Sequence, residues 1–116
     1  MNTEFFNAAT QKENGTNVCG RIIRAGGLVA FPTETVYGLG GDALHPEAAK
    51  KIYAAKGRPS DNPLIVHIAE FSDMERVAKT IPEQAKKLAD AFWPGPLTMI
   101  VWKSDAVPSA TTGGMD

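Results

Sequence analysis

Apolar residues recur at helical spacing in some segments of this chain and cluster or alternate in others, and that pattern predicts most of its elements. Val18, Ile22 and Ile23, behind a cap at Thr16 or Asn17 and before the stop at Gly26-Gly27, predict a first helix. Leu28 to Phe31 is a short apolar run that predicts a buried strand. His45-Pro46-Glu47 opens a second helix, with proline at its first position and an acid in its first turn, running through Ala48, Ala49, Ile52 and Tyr53 to Lys56. Leu64 to Ile68 predicts a second strand, with Leu64, Val66 and Ile68 on one face and Ile65 and His67 on the other. Ser72 and Glu75 have capping-box spacing and open a third helix with Met74, Val77 and Ala78 inward. A fourth starts at Ile81-Pro82-Glu83, turns Ala85, Leu88, Ala89 and Phe92 inward, and ends at Trp93-Pro94-Gly95-Pro96. Leu97 to Trp102 predicts a third strand.

The ends read differently. Met1 to Gly15 is polar apart from Phe5 and Phe6 and predicts a loose end, with an edge strand at most over Glu4-Phe5-Phe6. Lys103 to Asp116 is small, polar and glycine-rich and predicts loop. Strands alternating with helices indicate an α/β sandwich whose sheet need not be all parallel, in one domain over residues 1–116. With three predicted strands and an end in mid-loop at Gly113-Gly114-Met115-Asp116, the chain is expected to be a fragment of a longer protein, truncated at its C-terminal side.

Composition narrows the classes. Hydrophobic residues make up 43% and charged residues 22% of the chain, which fits a globular domain and excludes wholesale disorder. The formal net charge of -1 advertises neither nucleic acid nor an anionic membrane, so an anion site has to be local. Cys19, the single cysteine, cannot close an internal disulfide and reads as a small buried hydrophobe in a reducing compartment. No Cys/His cluster suggests a zinc site, and no apolar run approaches the roughly 20 residues of a membrane span, so a soluble, cytoplasmic protein is expected.

The chemistry concentrates in Phe31 to Gly41, where two threonines, a carboxylate, a phenol and glycines follow the first strand. On an extended chain the hydroxyls of Thr33, Thr35 and Tyr37 would face one side, and the glycines would let backbone approach a ligand; alternatively, this is a turn whose hydroxyls bond their own backbone. Lys56 and Arg58 flank Gly57 where a helix ends, beside Ser60 and Asn62. They suit an anion such as a triphosphate, or a helix C-terminus whose dipole they offset. His67 is either a satisfied core histidine or part of a site shared with these cations and threonines. Glu34 and Asp61 are candidates to orient a magnesium ion or to pair with a basic side chain, or simply stay solvated. Neither a Gly-x-x-x-x-Gly-Lys-Ser/Thr loop nor Gly-x-Gly-x-x-Gly is present, and no Ser/His/Asp set or paired metal ligands stand out, so covalent catalysis is not suggested.

Three ordered blocks carry a resemblance: Pro32-Thr33-Glu34-Thr35-Val36-Tyr37-Gly38-Leu39-Gly40; Lys56-Gly57-Arg58-Pro59 with Asn62-Pro63-Leu64-Ile65-Val66-His67-Ile68; and Trp93-Pro94-Gly95-Pro96-Leu97-Thr98. Together they resemble the YrdC-like threonylcarbamoyl-AMP synthase family over Ile22 to Asp116. The resemblance implies a twisted open mixed α/β sheet with a basic concave face. It implies a nucleotidyltransferase that converts L-threonine, bicarbonate and ATP to threonylcarbamoyl-AMP and pyrophosphate, with Mg2+, ahead of tRNA-modification proteins that make threonylcarbamoyladenosine. It places threonine at Thr33, Thr35, Tyr37 and His67, ATP at Lys56, Arg58, Ser60 and Asn62, and catalytic charge on Lys56 and Arg58, with no metal ligand assigned. Members of the family continue past the position of Asp116 with further parts of the nucleotide site, so this chain alone is expected to be inactive. Two alternatives remain: a double-stranded RNA or tRNA-binding module, and a related carbamoyl-transfer domain. The synthase reading requires Thr35, Arg58 and His67 to meet around one hollow.

Overall fold

The structure, a computed structural model, describes residues 2–116. Helix α1 runs Lys12–Arg24, strand β1 Val29–Phe31, strand β2 Gly38–Gly40, helix α2 Pro46–Lys56, helix α3 Met74–Val77 behind a 3-10 turn at Phe71–Asp73, and helix α4 Glu83–Phe92. The class is α/β, as the sequence predicts. Among the described residues the one regular sheet is the antiparallel pair β1–β2, with Val29 opposite Gly40, Ala30 opposite Leu39 and Phe31 opposite Gly38. The hydroxyl-rich stretch is therefore a hairpin loop, and its glycines form a strand that the sequence analysis reads as loop.

Those glycines have a packing reason. Phe31 lies on the sheet face shared by Gly38 and Gly40, and a β-carbon on either would stand 2.9 Å from its ring. They make room for an aromatic ring of the protein, where the sequence suggested close approach by a ligand.

The helices follow their caps. α2 has Pro46 in its first turn and ends on Gly57 at φ 63, with Ala48, Ala49, Ile52 and Tyr53 buried as predicted. α1 begins four residues before Thr16, at Lys12, because Gln11 and the turn before it seed the helix: Gly15 N–H donates to Gln11 O at 2.7 Å and packs under Phe6. No strand forms at Glu4–Phe6, and Met1 lies outside the described residues. The predicted Ser72/Glu75 box is displaced two residues: the Asp73 carboxylate accepts from Glu70 N–H at 3.0 Å. α4 buries Ala85 and Ala89, but Leu88 is exposed and Phe92 is 60% exposed, against expectation, because nothing among the described residues covers that flank.

Leu64–Ile68 and Leu97–Trp102 keep the side-chain alternation of strands without joining a ladder. Leu64, Val66 and Ile68 are half-buried while Ile65 and His67 are exposed; Leu97, Met99 and Val101 are half-buried while Ile100 is 99% exposed. Their backbone partners are loops and short bridges: Leu64 N–H donates to Thr111 O at 2.9 Å, and Lys79 N–H to Trp102 O at 2.8 Å beside the Ala78–Lys103 bridge. Trp102 sits on the rim, Trp93 is half-buried with its indole N–H donating to Leu97 O, and Cys19 is half-buried.

The core is thin. Five of the nine buried hydrophobic side chains are alanines, and the accessible surface is 8564 Å². A compact chain of this mass would expose about 6,100 Å². What substitutes for bulk is the segment after Lys103, a series of turns that docks firmly. Val107 is buried, and Thr111, 2% exposed, donates its hydroxyl to Ala43 O at 2.8 Å. Gly113, at φ 63, presses against Asp61, where a β-carbon would stand 2.6 Å from the backbone oxygen. Gly113→Ala is therefore expected to lift this segment and lower stability by at least about 1 kcal/mol, with the Leu64 amide exchanging faster with solvent. Urea denaturation and hydrogen exchange measure both.

Candidate functional site

Two clusters hold the predicted site residues. The first is the β1–β2 loop. Chain direction changes over Glu34–Val36, so the hydroxyls meet by bending, not by strand alternation. Thr33 Oγ1 accepts from Thr35 N–H at 3.2 Å, lies 3.5 Å from Thr35 Oγ1, and donates to Val36 O. Both backbone partners of Thr33 are thus local, which is the turn alternative the sequence left open. The Thr35 hydroxyl keeps capacity for a ligand beyond its contact with Thr33, and Tyr37, 76% exposed, has no side-chain hydrogen bond among the described residues. His67 approaches Phe31, the last residue of β1. Its ring stands edge-on to Phe31, centroids 5.9 Å apart and planes at 76°, two residues before Thr33. The imidazole is exposed, not sealed in hydrocarbon. With Nδ1 protonated and donating to Ile65 O at 3.2 Å, Nε2 is left as an acceptor.

The second cluster is the loop after α2. Arg58 does not reach into open solvent. Its guanidinium lies 5.7 Å from the centre of the Tyr53 ring, and Nη2 donates to Asn62 O at 3.1 Å and Pro63 O at 3.2 Å. Tyr53 donates its hydroxyl to the same Asn62 carbonyl at 2.8 Å. One buried tyrosine at the end of α2 thus supports the arginine by its face and the loop by its edge, a connection that helical spacing registered only as a core position. Arg58 Nε is enclosed without an acceptor, an unmet demand inside this loop. Lys56 is exposed in the last turn of α2 with no ion pair among the described residues. Ser60 and Asp61 line an open hollow of about 440 Å³ with Lys50, Tyr53, Ser109 and Gly113.

No hydrogen bond or ion pair among the described residues joins the two clusters. Leu64 to Val66 bridges them: at about 3.3 Å per residue, the five steps from Asn62 to His67 span at most roughly 17 Å. His67 thus stands beside Phe31, and Arg58 is held at the far end of that run; no contact among the described residues gathers Thr35, Arg58 and His67 around the one hollow that the sequence reading required. Glu34 and Asp61 are exposed and make no salt bridge among the described residues. The shifted carboxylate is Glu47, which the ammonium of Lys50 holds below the usual range.

Residues 21–116 match the Sua5/YciO/YrdC family, described as "Telomere recombination". The chain is 62% identical over 95 residues to a threonylcarbamoyl-AMP synthase of Pyrococcus abyssi and 55% identical over 96 residues to one of Bacillus subtilis, covering 82% of this chain and 28% of the relative in each case. It superimposes on the crystal structure of P. abyssi Sua5 complexed with L-threonine with a TM-score of 0.86 and 58% identity, over 90% of this chain and 31% of that one. The chain thus spans less than a third of the length of these relatives.

Tyr53→Phe keeps the ring under Arg58 and removes the hydroxyl from Asn62 O. It is expected to cost about 1 kcal/mol by denaturant unfolding, whereas Tyr53→Leu, which also removes the aromatic face and leaves a cavity, should cost about 2–4 kcal/mol.

Proposed function

The chain belongs to the Sua5/YciO/YrdC family, and from that premise we propose that the protein is a threonylcarbamoyl-AMP synthase. It would take L-threonine, bicarbonate and ATP to threonylcarbamoyl-AMP and pyrophosphate. The observation that carries the reading is the match, at 58% identity, to the structure of P. abyssi Sua5 complexed with L-threonine; the Thr33–Thr35 hydroxyl pair and the exposed imidazole beside Phe31 supply groups that suit such a ligand. Hydroxyls and an imidazole suit the ammonium, carboxylate and hydroxyl of a small polar amino acid.

In this reading Thr35, Tyr37 and His67 orient threonine, with Thr33 shaping the turn. The neutral amine of threonine adds to the carbon of CO2 and loses a proton to solvent, or adds to bicarbonate with loss of water, giving a carbamate; the carbamate oxygen then bonds to the α-phosphorus of ATP as the bond to the bridging oxygen breaks and pyrophosphate departs. No enzyme nucleophile is required. Lys56 supplies a mobile positive charge at the phosphates, and Ser60 and Asn62 offer hydrogen bonds nearby. Arg58 has a double duty, since one of its amino groups is bonded to the carbonyls of Asn62 and Pro63; it shapes the loop and contributes charge through the rest of its guanidinium. Among the described residues no group of His, Cys, Asp or Glu gathers as a metal site. Magnesium is accordingly assigned to the substrate, as the companion of the ATP phosphates, and no step is routed through a protein-held ion.

The product would pass to proteins that install threonylcarbamoyladenosine in tRNA. The chain's net charge of -1 gives no separate reason for RNA to bind it. No described helix is long and apolar enough to cross a membrane, and we place the reaction in the cytoplasm.

The test is pyrophosphate release by the full-length protein. It should require threonine, bicarbonate and ATP together, and release without threonine would refute the reading. Lys56→Ala is expected to lower kcat/KM for ATP about 10- to 100-fold, the range for losing a charge-assisted bond. Thr35→Val should raise the threonine KM about 3- to 10-fold, the range for a neutral one.

A further inference from the structure

We infer that Phe31 is a positioning residue for threonine, acting through His67, and that Gly38 and Gly40 are part of the same device. The inference rests on the threonine-site reading above and adds to it the element that sets the imidazole.

Phe31 closes β1, and its ring has two sets of neighbours. Across the sheet it lies over β2, where a β-carbon at Gly38 would approach its Cζ to 2.9 Å and one at Gly40 its Cε1 to 2.9 Å. Any side chain at either position would collide with the ring, so the two glycines create a flat bed of the ring's own size. The ring also meets His67 in a T-shaped contact, centroids 5.9 Å apart. That contact is what orients an otherwise exposed side chain: the only hydrogen bond of the imidazole among the described residues is to Ile65 O, two residues back in its own segment. The local bond sets the tautomer, and the aromatic contact sets where the ring stands relative to the β1–β2 loop.

The hairpin makes this a coupled arrangement. Phe31 is the last residue of β1 and is followed directly by Pro32 and Thr33, so one aromatic ring joins the strand pair, the start of the hydroxyl loop and the imidazole arriving from Leu64–Ile68. A displaced ring would move His67 relative to Thr35 without touching the Lys56–Asn62 loop, which Tyr53 supports separately. The threonine and ATP sites should therefore respond differently.

Phe31→Leu and Gly40→Ala test the inference by opposite routes: the first removes the ring and the second displaces it. Each is expected to shift the His67 ring signals in proton–nitrogen NMR spectra and to raise the threonine KM of the full-length protein roughly 2- to 10-fold, the range for losing one aromatic pair. The ATP KM should move less than about twofold. Because leucine leaves room over Gly40, adding Gly40→Ala to Phe31→Leu should cost less than adding it to the parent protein. His67→Ala is the reference. If it raises the threonine KM while Phe31→Leu and Gly40→Ala leave both the KM and the His67 signals unchanged, the positioning role is overturned and the threonine site stands. Equal rises in both KM values would show general loosening and also overturn it. If His67→Ala itself leaves the threonine KM unchanged, the threonine-site reading fails and this inference with it.

Discussion

Asn62 and Leu64 are gripped from two sides, and the placement of every candidate site residue in the second half of the chain follows from that grip. From α2, Tyr53 donates to the Asn62 carbonyl and lies beneath Arg58, which bonds the same carbonyl. From the far end of the chain, Thr111 accepts the Leu64 amide and anchors its own hydroxyl on Ala43. A loop of breakers such as Lys56–Pro63 has no ladder to hold it, and unpaired backbone groups in it would be costly to enclose. Here the Asn62 and Pro63 carbonyls are satisfied by Tyr53 and Arg58, four to nine residues back, and the Leu64 amide that follows by Thr111. The loop is thereby fixed at one end and feeds an alternating run that delivers His67 to the end of β1.

Two consequences follow for chemistry. The cationic loop and the hydroxyl–imidazole loop are separate constructions, each with its own aromatic support: Tyr53 under Arg58, and Phe31 beside His67. They share no direct bond among the described residues, so either can be altered without breaking a bond of the other. The second consequence concerns Arg58. An arginine fully free to clamp phosphate would have all its donors available, whereas this one spends Nη2 on its own loop, and Lys56 keeps the less committed charge.

The thinness of the core gives this architecture its character. Alanines make up most of the buried hydrophobic set, and the outward sides of Leu97–Trp102 and α4 carry exposed apolar residues. Fixed order therefore comes from specific hydrogen bonds and close backbone contacts at Thr111 and Gly113, not from a bulky interior.

Local chemistry was legible in the residues themselves. Proline at the first turn and glycine after the last bound α2 correctly, the alternation of Leu64–Ile68 and Leu97–Trp102 survives as alternating exposure, and the motif blocks identified the family that the comparisons show. These properties depend on a residue and its near neighbours. What could not be read was anything requiring a distant partner. Gly38–Gly40 looks like loop until Phe31 and β1 lie beside it; Leu64–Ile68 looks like a ladder strand until Thr111 takes its first amide; Leu88 and Phe92 look buried, yet nothing among the described residues covers them; and Lys103–Asp116 looks slack until Thr111 and Gly113 dock. Helix caps and side-chain alternation are set by steric and hydrogen-bonding limits within a few residues, so the sequence alone determined them. Pairing, burial and the partners of Arg58 and His67 depend on which surfaces the folded chain brings into contact, and only the tertiary structure decided those.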